Sequence, residues 1–482
     1  MRKVFQFHSH NKMFTTTTKF KIPKVLENIL NDLQELGATP ILVGGCVRDF
    51  FLNIPIKDYD VEIFGIDCFD TIEKSLQKYG TVKLVGKSFG VLTLRVDEYD
   101  FDFALPRTEK KIGNTHQDFE VTTNANLSYK EAALRRDFTI NSIGYDYFKK
   151  EFLDPFNGIK DLENKLLRHI NDETFIEDSL RVYRGIGFAS RFGFEIYDKT
   201  KEICKQIVLN GDLVHLPKER VFEELKKLFL NSKKPSIGFE LIREFGILKY
   251  FPELKALVNC IQDEVYHPEG DVWVHTLMVL DEMARILKEE KIEDDYKKLY
   301  LFYAVLCHDF GKPFCTKEIA GKITSFKHEN LGIEPTISFL LKLTNERKFI
   351  EIVCSLVKTH LVPFQLYLSD SSLKAIKRLS LKVNIEDLCL VSLADCLGRN
   401  IPDKDKCTKA SSWLLEKAKE LNIENKAIEP LVQGRDLMAL GLKPSKSFKE
   451  ILEFAFELQL DENLQKEKII KNIKEKYLIN YF

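Results

Sequence analysis

The 482-residue sequence has only two tryptophans and five methionines, and none of its ten cysteines forms a Cys-x-x-Cys pair. That spacing excludes the usual thiolate zinc ribbon and dithiol redox centre, and no short regular framework suggests disulfides. Reduced thiols are expected. Charge of one sign is also missing: 72 basic and 73 acidic residues leave a net charge of −1. No global basic field announces nucleic acid, so any RNA grip must come from local patches. No apolar run is expected to reach the ~20 residues of a bilayer-spanning helix. With no secretory h-region either, a cytoplasmic protein without a membrane partner is expected. Residues 1 to 20 contain no acid and end in a threonine run from Thr15 to Thr18. They lack the amphipathic period of a transit peptide, so 1–21 reads as a disordered extension. What is present is ample for cores: 44% hydrophobic and 30% charged residues, enough for about three domains.

The densest chemistry lies between Pro40 and Gly65. An apolar strand ends in Gly44-Gly45, a short helix carrying Arg48 follows, and a second strand bears Asp58 and Asp60. Residues two apart on a strand share a face. Two carboxylates so placed repel unless a cation lies between them, and oxygen donors with substrate phosphates suit Mg²⁺. Glycines without Cβ let backbone N–H groups approach a phosphate, and Arg48 is one turn away. Further strands are expected at Val82 to Val85, Phe89 to Val96 and Asp100 to Leu105, with helices at Pro23 to Leu36 and Phe69 to Lys78. Asp100 and Asp102 share a face, and either could join the acidic pair. The polar stretch 107–127 reads as a long functional loop.

Downstream, Arg135-Arg136-Asp137-Phe-Thr-x-Asn141 offers forked donors for phosphate and an acceptor for a ribose hydroxyl. Glu177-Asp178-Ser-Leu-Arg181 has helical spacing, placing Asp178 and Arg181 on one face. A carboxylate accepting from an exocyclic amine and a guanidinium donating to the adjacent ring nitrogen suit both cytosine and adenine. Uracil and guanine would present a carbonyl to the carboxylate. Beyond Pro235 strand signals fade and helical periodicity dominates. There His275, His308-Asp309 and Asp395 form a set suited to one divalent transition metal with open positions. His328 and His360 could bind substrate phosphate or a second metal.

Taken together, the Gly-Gly-x-x-Arg-Asp and Asp-x-Asp frame, Arg-Arg-Asp-Phe-Thr-x-Asn and Glu-Asp-x-x-Arg resemble the signatures of class II CCA tRNA nucleotidyltransferases and poly(A) polymerases. Leu306-Cys-His-Asp-Phe-Gly-Lys-Pro313 resembles the HD-domain signature of a subgroup with that appendage. The resemblance implies Asp102 as third catalytic carboxylate beside Asp58 and Asp60. It implies nucleotide contacts at Gly44, Gly45, Arg48, Arg136 and Arg184, ribose at Asp137, and base selection by Asp178 and Arg181. At Gly187 many members carry a further arginine. In the family, Asp154 to Leu162 is read as a hinge, and the loop at 107–127 supports the switch from adding C to adding A.

The expected architecture is α+β: a polymerase-β-like nucleotidyltransferase head at 22–150 and a helical neck at 151–235. An HD-type metal-dependent domain at 236–400 and a helical tail at 401–482, suited to tRNA binding, complete it. The expected activity is template-independent addition of CCA to tRNA from CTP and ATP by two-metal phosphoryl transfer, with no obligate protein partner. An A-adding tRNA enzyme, a poly(A) polymerase and an HD-type phosphohydrolase remain alternatives.

Overall fold

Alternation of apolar and polar residues along short strands builds a sheet that fixes the acidic residues. The computed structural model describes residues 20–85, 90–111, 119–402, 404–445, 447–462 and 464–478. The extension expected at 1–21 falls outside them up to residue 19. Two compact units emerge, Met1–Leu228 with Glu240–Ile247, and Phe229–Phe239 with Leu248–Phe482.

In the first unit, α1 (Lys24–Glu35) buries Leu26, Ile29, Leu30 and Leu33; the spacing of Val25, Ile29, Leu33 and Leu36 predicts a neighbouring stripe, of which Leu36 is exposed. Strand β1 (Thr39–Val43) leads into α2 (Gly45–Phe51), and β2 (Asp58–Phe64) into α3 (Phe69–Leu76). Strands β3 (Val82–Val85), β4 (Val91–Val96) and β5 (Tyr99–Ala104) lie close to the expected bounds. The stretch 107–127 is not the expected long loop. Strands β6 (Arg107–Lys111) and β7 (Phe119–Thr123) pair antiparallel from Arg107↔Thr123 to Lys111↔Phe119. Backbone pairing needs no apolar content, so a charged ribbon escapes a hydrophobic pattern search. Its tip at 112–118 lies outside the described residues. With β8 (Gly144–Asp146) and β9 (Glu151–Leu153), the sheet order is β3-β4-β5-β2-β1-β8-β9. β2 and β5 run parallel, whereas the other neighbours are antiparallel. Tyr59, Val61 and Ile63 of β2 and Phe101 and Phe103 of β5 are buried.

The turn read as a hinge is closely packed. Asp154 accepts from the N–H groups of Gly158 (2.7 Å) and Ile159 (3.0 Å). A Cβ on Gly158 would lie 2.2 Å from the Thr139 carbonyl oxygen.

The second unit is helical, as expected, apart from a hairpin, Lys317–Ile319 with Lys322–Thr324. Ala320 and Gly321 at its tip both have positive φ (50° and 76°), the geometry of a tight two-residue turn. Helices Val272–Glu289, Asp295–Cys307, Arg347–Thr359 and Ile385–Leu397 carry its functional groups. Two expectations need correction here. Arg347–Leu368 is long and apolar enough by length and composition to cross a membrane. It buries Phe349, Val353, Leu356 and His360 within the unit. Cys396 and Cys407 are joined as a disulfide, while the other eight cysteines are free. The partners meet because the chain turns back after the helix Ile385–Leu397, a proximity that spacing alone does not show.

Gly158→Ala should destabilise the first unit by about 1–3 kcal/mol, since the Thr139 backbone must give way. Urea unfolding of the full chain with its two transitions resolved would measure it, and an unchanged first transition would contradict the packing.

Candidate functional site

The parallel pairing of β2 with β5 sets Asp58 opposite Asp100 and Asp60 opposite Asp102. Opposed residues on paired strands share a face, so four carboxylates form one patch. Their mutual repulsion is visible in Asp102, whose carboxyl is pushed up to about 6 by burial and by Asp60, Asp100 and Asp58. Asp60 is raised as well, by the protein atoms around it, with Arg136 opposing and Asp58 adding to the rise. Asp100 lies 3.7 Å from Arg95, whereas Asp102 is held opposite Asp60.

Gly44 adopts φ +72°, and a Cβ there would meet Asp60 Oδ2 at 3.1 Å and Arg136 Nη1 at 3.2 Å. The chain thus threads between an acid and a guanidinium where only glycine fits without strain. Gly45 starts α2. Arg48 is buried beside this turn, its Nη2 lying 3.5 Å from where a Cβ on Gly45 would stand. It donates to Asp49 Oδ1 (2.7 Å) and Asn141 Oδ1 (2.7 Å) and lies against the stacked rings of Phe188 and Phe192 (5.2 and 5.0 Å to the centroids). The proximity expected from one helical turn holds, but packing, which spacing does not reveal, gives its donors internal partners.

Glu62, two residues beyond Asp60, went unnoticed in the sequence, although its alternation with Asp58 and Asp60 was the available signal. It is buried and accepts from Arg135 Nη2 (2.9 Å) and Arg136 Nη2 (3.4 Å). Although burial opposes its charge, Arg136 and Arg135 hold its carboxyl below the usual range. Asp137 accepts from Asn141 Nδ2 (2.9 Å) and from Arg184 Nε (2.8 Å). Against the cost of burial, Arg184 and Asn141 bring it down to about 2.

Asp178 and Arg181 do not share a helical face. Helix Asp172–Glu177 ends at Asp178 in extended conformation, and a new helix, Leu180–Phe192, begins after Ser179. Asp178 accepts from the Leu180 N–H (3.1 Å) and lies 3.4 Å from Arg220 Nη2. Arg181 donates to the carbonyls of Thr174 and Arg135, each at 2.6 Å. A helix break two residues long escapes periodicity, because Asp178 and Ser179 are ordinary cap residues as well. Gly187, where the resemblance leads one to expect arginine, faces open space: nothing lies within 4 Å of a Cβ built there.

The second unit gathers all four residues of its expected set. His275 Nε2 lies 3.0 Å from Asp395 Oδ1 and 3.3 Å from His308 Nε2, and His308 Nε2 lies 3.1 Å from Asp309 Oδ2. His328 and His360 join them: His328 Nε2 is 3.3 Å from both His360 Nε2 and Asp309 Oδ1. Two donor groups result at the centre, His275-His308-Asp395 and Asp309-His328-His360, and a third, His267-Glu269-His275, adjoins them. His308, His328 and His360 each give their Nδ1 proton to the carbonyl three residues earlier, of Val305, Ser325 and Val357. That fixes Nε2 as the bare nitrogen in the neutral rings, so lone pairs face one another at 3.3 Å unless a proton or a cation intervenes. Against the cost of burial, Asp309 raises His308, which favours a proton there. His360 is pushed down to about 3, chiefly by burial, which favours that neutral form. Glu269, absent from the sequence reading, lies 2.9 Å from His275 Nδ1 and 2.8 Å from His267 Nδ1. A carboxylate behind a ligating imidazole is the usual way to orient it. Lys312 Nζ lies 2.7 Å from Asp309 Oδ2, and Arg399 contacts Asp395 at 3.3 Å.

A mixed sheet carrying clustered carboxylates beside a glycine turn, followed by helices, defines the nucleotidyltransferase class. Residues 41–168 match the poly(A) polymerase head domain, and 193–257 match the probable RNA and SrmB-binding site of polymerase A. The multifunctional CCA protein of Pseudoalteromonas atlantica is 37% identical over 326 residues, 66% of this chain and 75% of that protein. That of Actinobacillus pleuropneumoniae serotype 5b is 33% identical over 425 residues, covering 84% of this chain and 99% of its own length. The chain belongs to this family of CCA-adding nucleotidyltransferases. The Bacillus stearothermophilus CCA-adding enzyme in complex with CTP shares the fold (TM-score 0.65, 20% identity, 95% of this chain and 98% of that one). So does the Thermotoga maritima enzyme complexed with tRNA-CCA (TM-score 0.58, 21% identity, 94% and 96%).

Glu62→Ala would leave two buried guanidinium groups facing no carboxylate. It should cost the first unit about 3–5 kcal/mol, read by denaturant unfolding, whereas an exposed surface acid would cost almost nothing.

Proposed function

We propose that the protein completes the 3′ end of tRNA by adding C, C and A from CTP and ATP without a nucleic-acid template. The observation that carries this reading is the register of β2 on β5, which gathers Asp58, Asp60 and Asp102 beside the Gly44 turn. Family membership supports the choice of CCA addition over poly(A) synthesis. The three carboxylates would hold divalent ions, Mg²⁺ by their oxygen chemistry. When bound, these ions would lower the pKa of the RNA 3′-hydroxyl and stabilise the leaving pyrophosphate.

The chain's own residues do the rest. The Gly44-Gly45 turn admits the triphosphate, and Arg136, held by Glu62, supplies a fixed cation to it. Asp137 takes the ribose hydroxyl, its orientation set by Arg184 and Asn141. Arg48 acts from behind, bracing Asn141. Asp178 accepts from the exocyclic amine of C or A while Arg181 donates to the neighbouring ring nitrogen. Two of Arg181's five N–H donors are spent on backbone carbonyls, which pins the plane and leaves three for the base.

With tRNA lacking CCA, CTP alone should add two residues, and both nucleotides together should complete the end. Absence of C incorporation would decide for an A-adding enzyme or a poly(A) polymerase. Asp58→Ala should lower incorporation on the order of 1,000-fold or more. Asp178→Ala should admit UTP and GTP while leaving triphosphate affinity intact; unchanged selectivity would remove Asp178 from the reading role.

A second reading concerns the histidine cluster and rests on its two donor groups. We propose a phosphoester hydrolase centre on His275, His308, Asp309 and Asp395, with His328 and His360 completing a second position and divalent transition metal favoured by the imidazoles. Such a metal would supply an activated water. Lys312 and Arg399 stand ready to neutralise a phosphate. Glu269→Gln should weaken metal retention 10–100-fold, measured by metal analysis after dialysis. His308→Ala should abolish phosphodiester hydrolysis while CCA addition persists; loss of both activities together would argue against an independent centre.

A further inference from the structure

A cavity of about 590 Å³ in the second unit lies among residues that neither proposed centre uses. Its apolar floor includes Leu230, Ala284 and Ile292, and its rim carries Lys233, Arg285, Lys288, Lys291 and Lys298 against one acid, Glu293. Arg285 is paired with Glu282 and Glu289, and Lys298 with Asp295. Among the described residues, Lys233, Lys288 and Lys291 have no carboxylate partner. Lysines at a helix end commonly serve only that helix's own carbonyls, and Lys288 and Lys291 close the helix Val272–Glu289. Two observations set this rim apart. Lys233 comes from a different segment, the turn after the helix Lys218–Asn231, and converges on the same hollow. Beside it Ser232, 7% exposed, lines the cavity with a buried hydroxyl that has no hydrogen-bond partner. A hydroxyl and several unpaired ammonium groups around one hollow are complementary to a phosphate with its oxygens.

We propose that this cavity is a docking site for the phosphodiester backbone of the RNA substrate. Inorganic phosphate or a free nucleotide would share the chemistry. RNA is favoured because the unpaired lysines come from two separate segments of the chain, 233 and 288–291, more cations than one small anion needs. The region matched to an RNA-binding domain, 193–257, also runs through the turn that supplies Ser232 and Lys233. Choosing RNA rests on tRNA being the substrate. The contacts carry no sequence information and act by neutralising phosphates and releasing counterions.

The test uses the full-length Lys288→Ala/Lys291→Ala variant and tRNA lacking CCA, with binding measured without nucleotide from 50 to 200 mM salt. Affinity should fall roughly tenfold at low salt, and the slope of log K against log salt should shrink by about two. KM for CTP should not move. Equal affinity and equal slope in a variant of unchanged thermal midpoint would overturn the proposal. So would protection of the cavity lysines from acylation by millimolar phosphate or ATP but not by tRNA, which would assign a small anion instead. If the wild type bound tRNA with the predicted salt slope yet added no C, the activity would fall and the docking site would stand.

Discussion

One ladder governs the first unit: β2 lies parallel to β5 inside an otherwise antiparallel sheet. Because side chains alternate, a slip of one residue would turn every carboxylate into the core and every core residue to the site. Register is therefore held from the opposite face, by Tyr59, Val61, Phe101 and Phe103, whose burial stabilises the pairing by roughly 1.5–3 kcal/mol each. The hydrophobic face fixes where the charges stand, and the charges in turn create the demand for a cation. Glu62 marks where that row of acids ends. It faces two arginines, so the acidic patch passes into a basic one within a single residue pair along the strand.

Much of this was legible in the sequence, for a reason that can be named. Asp58 and Asp60 obey a period of two, and the strand they lie on is bounded by breakers, so both element and face follow. The choice between Asp100 and Asp102 could not be read, because both lie on the right face. Their surroundings differ in the structure: Asp100 lies 3.7 Å from Arg95, while Asp102 is paired opposite Asp60. Asp178 and Arg181 show the opposite failure. Their spacing is helical, yet the chain breaks between them, and their rigidity comes from partners 42 and 46 residues away in sequence, Arg220 and the Arg135 carbonyl. Arg48 likewise was recognisable as important, but its packing against Phe188 and Phe192 depends on a helix about 140 residues later.

The second unit reached its cluster by repetition that no linear pattern reveals. His308, His328 and His360 each follow a turn whose carbonyl, three residues back, takes the Nδ1 proton. The three rings thus present the same nitrogen to a common centre. His275 is oriented differently, by the Glu269 side chain, whose value was invisible until the loop at 260–271 was seen folded over the helix Val272–Glu289. The pairing of Cys396 with Cys407 belongs here too, because Cys396 directly follows Asp395 and the bridge pins the helix end that presents it.

Asp309 links the two donor groups: it is a member of one and turns its other oxygen toward His308 of the other. Its backbone neighbour Gly311 is pressed so tightly on His328 that a Cβ there would stand 1.9 Å from the His328 carbonyl oxygen. A shared anion on a locked turn cannot serve two guests as strangers. Were two ions to occupy the cluster, each would draw on this one carboxylate, so filling of one position would alter the affinity of the other.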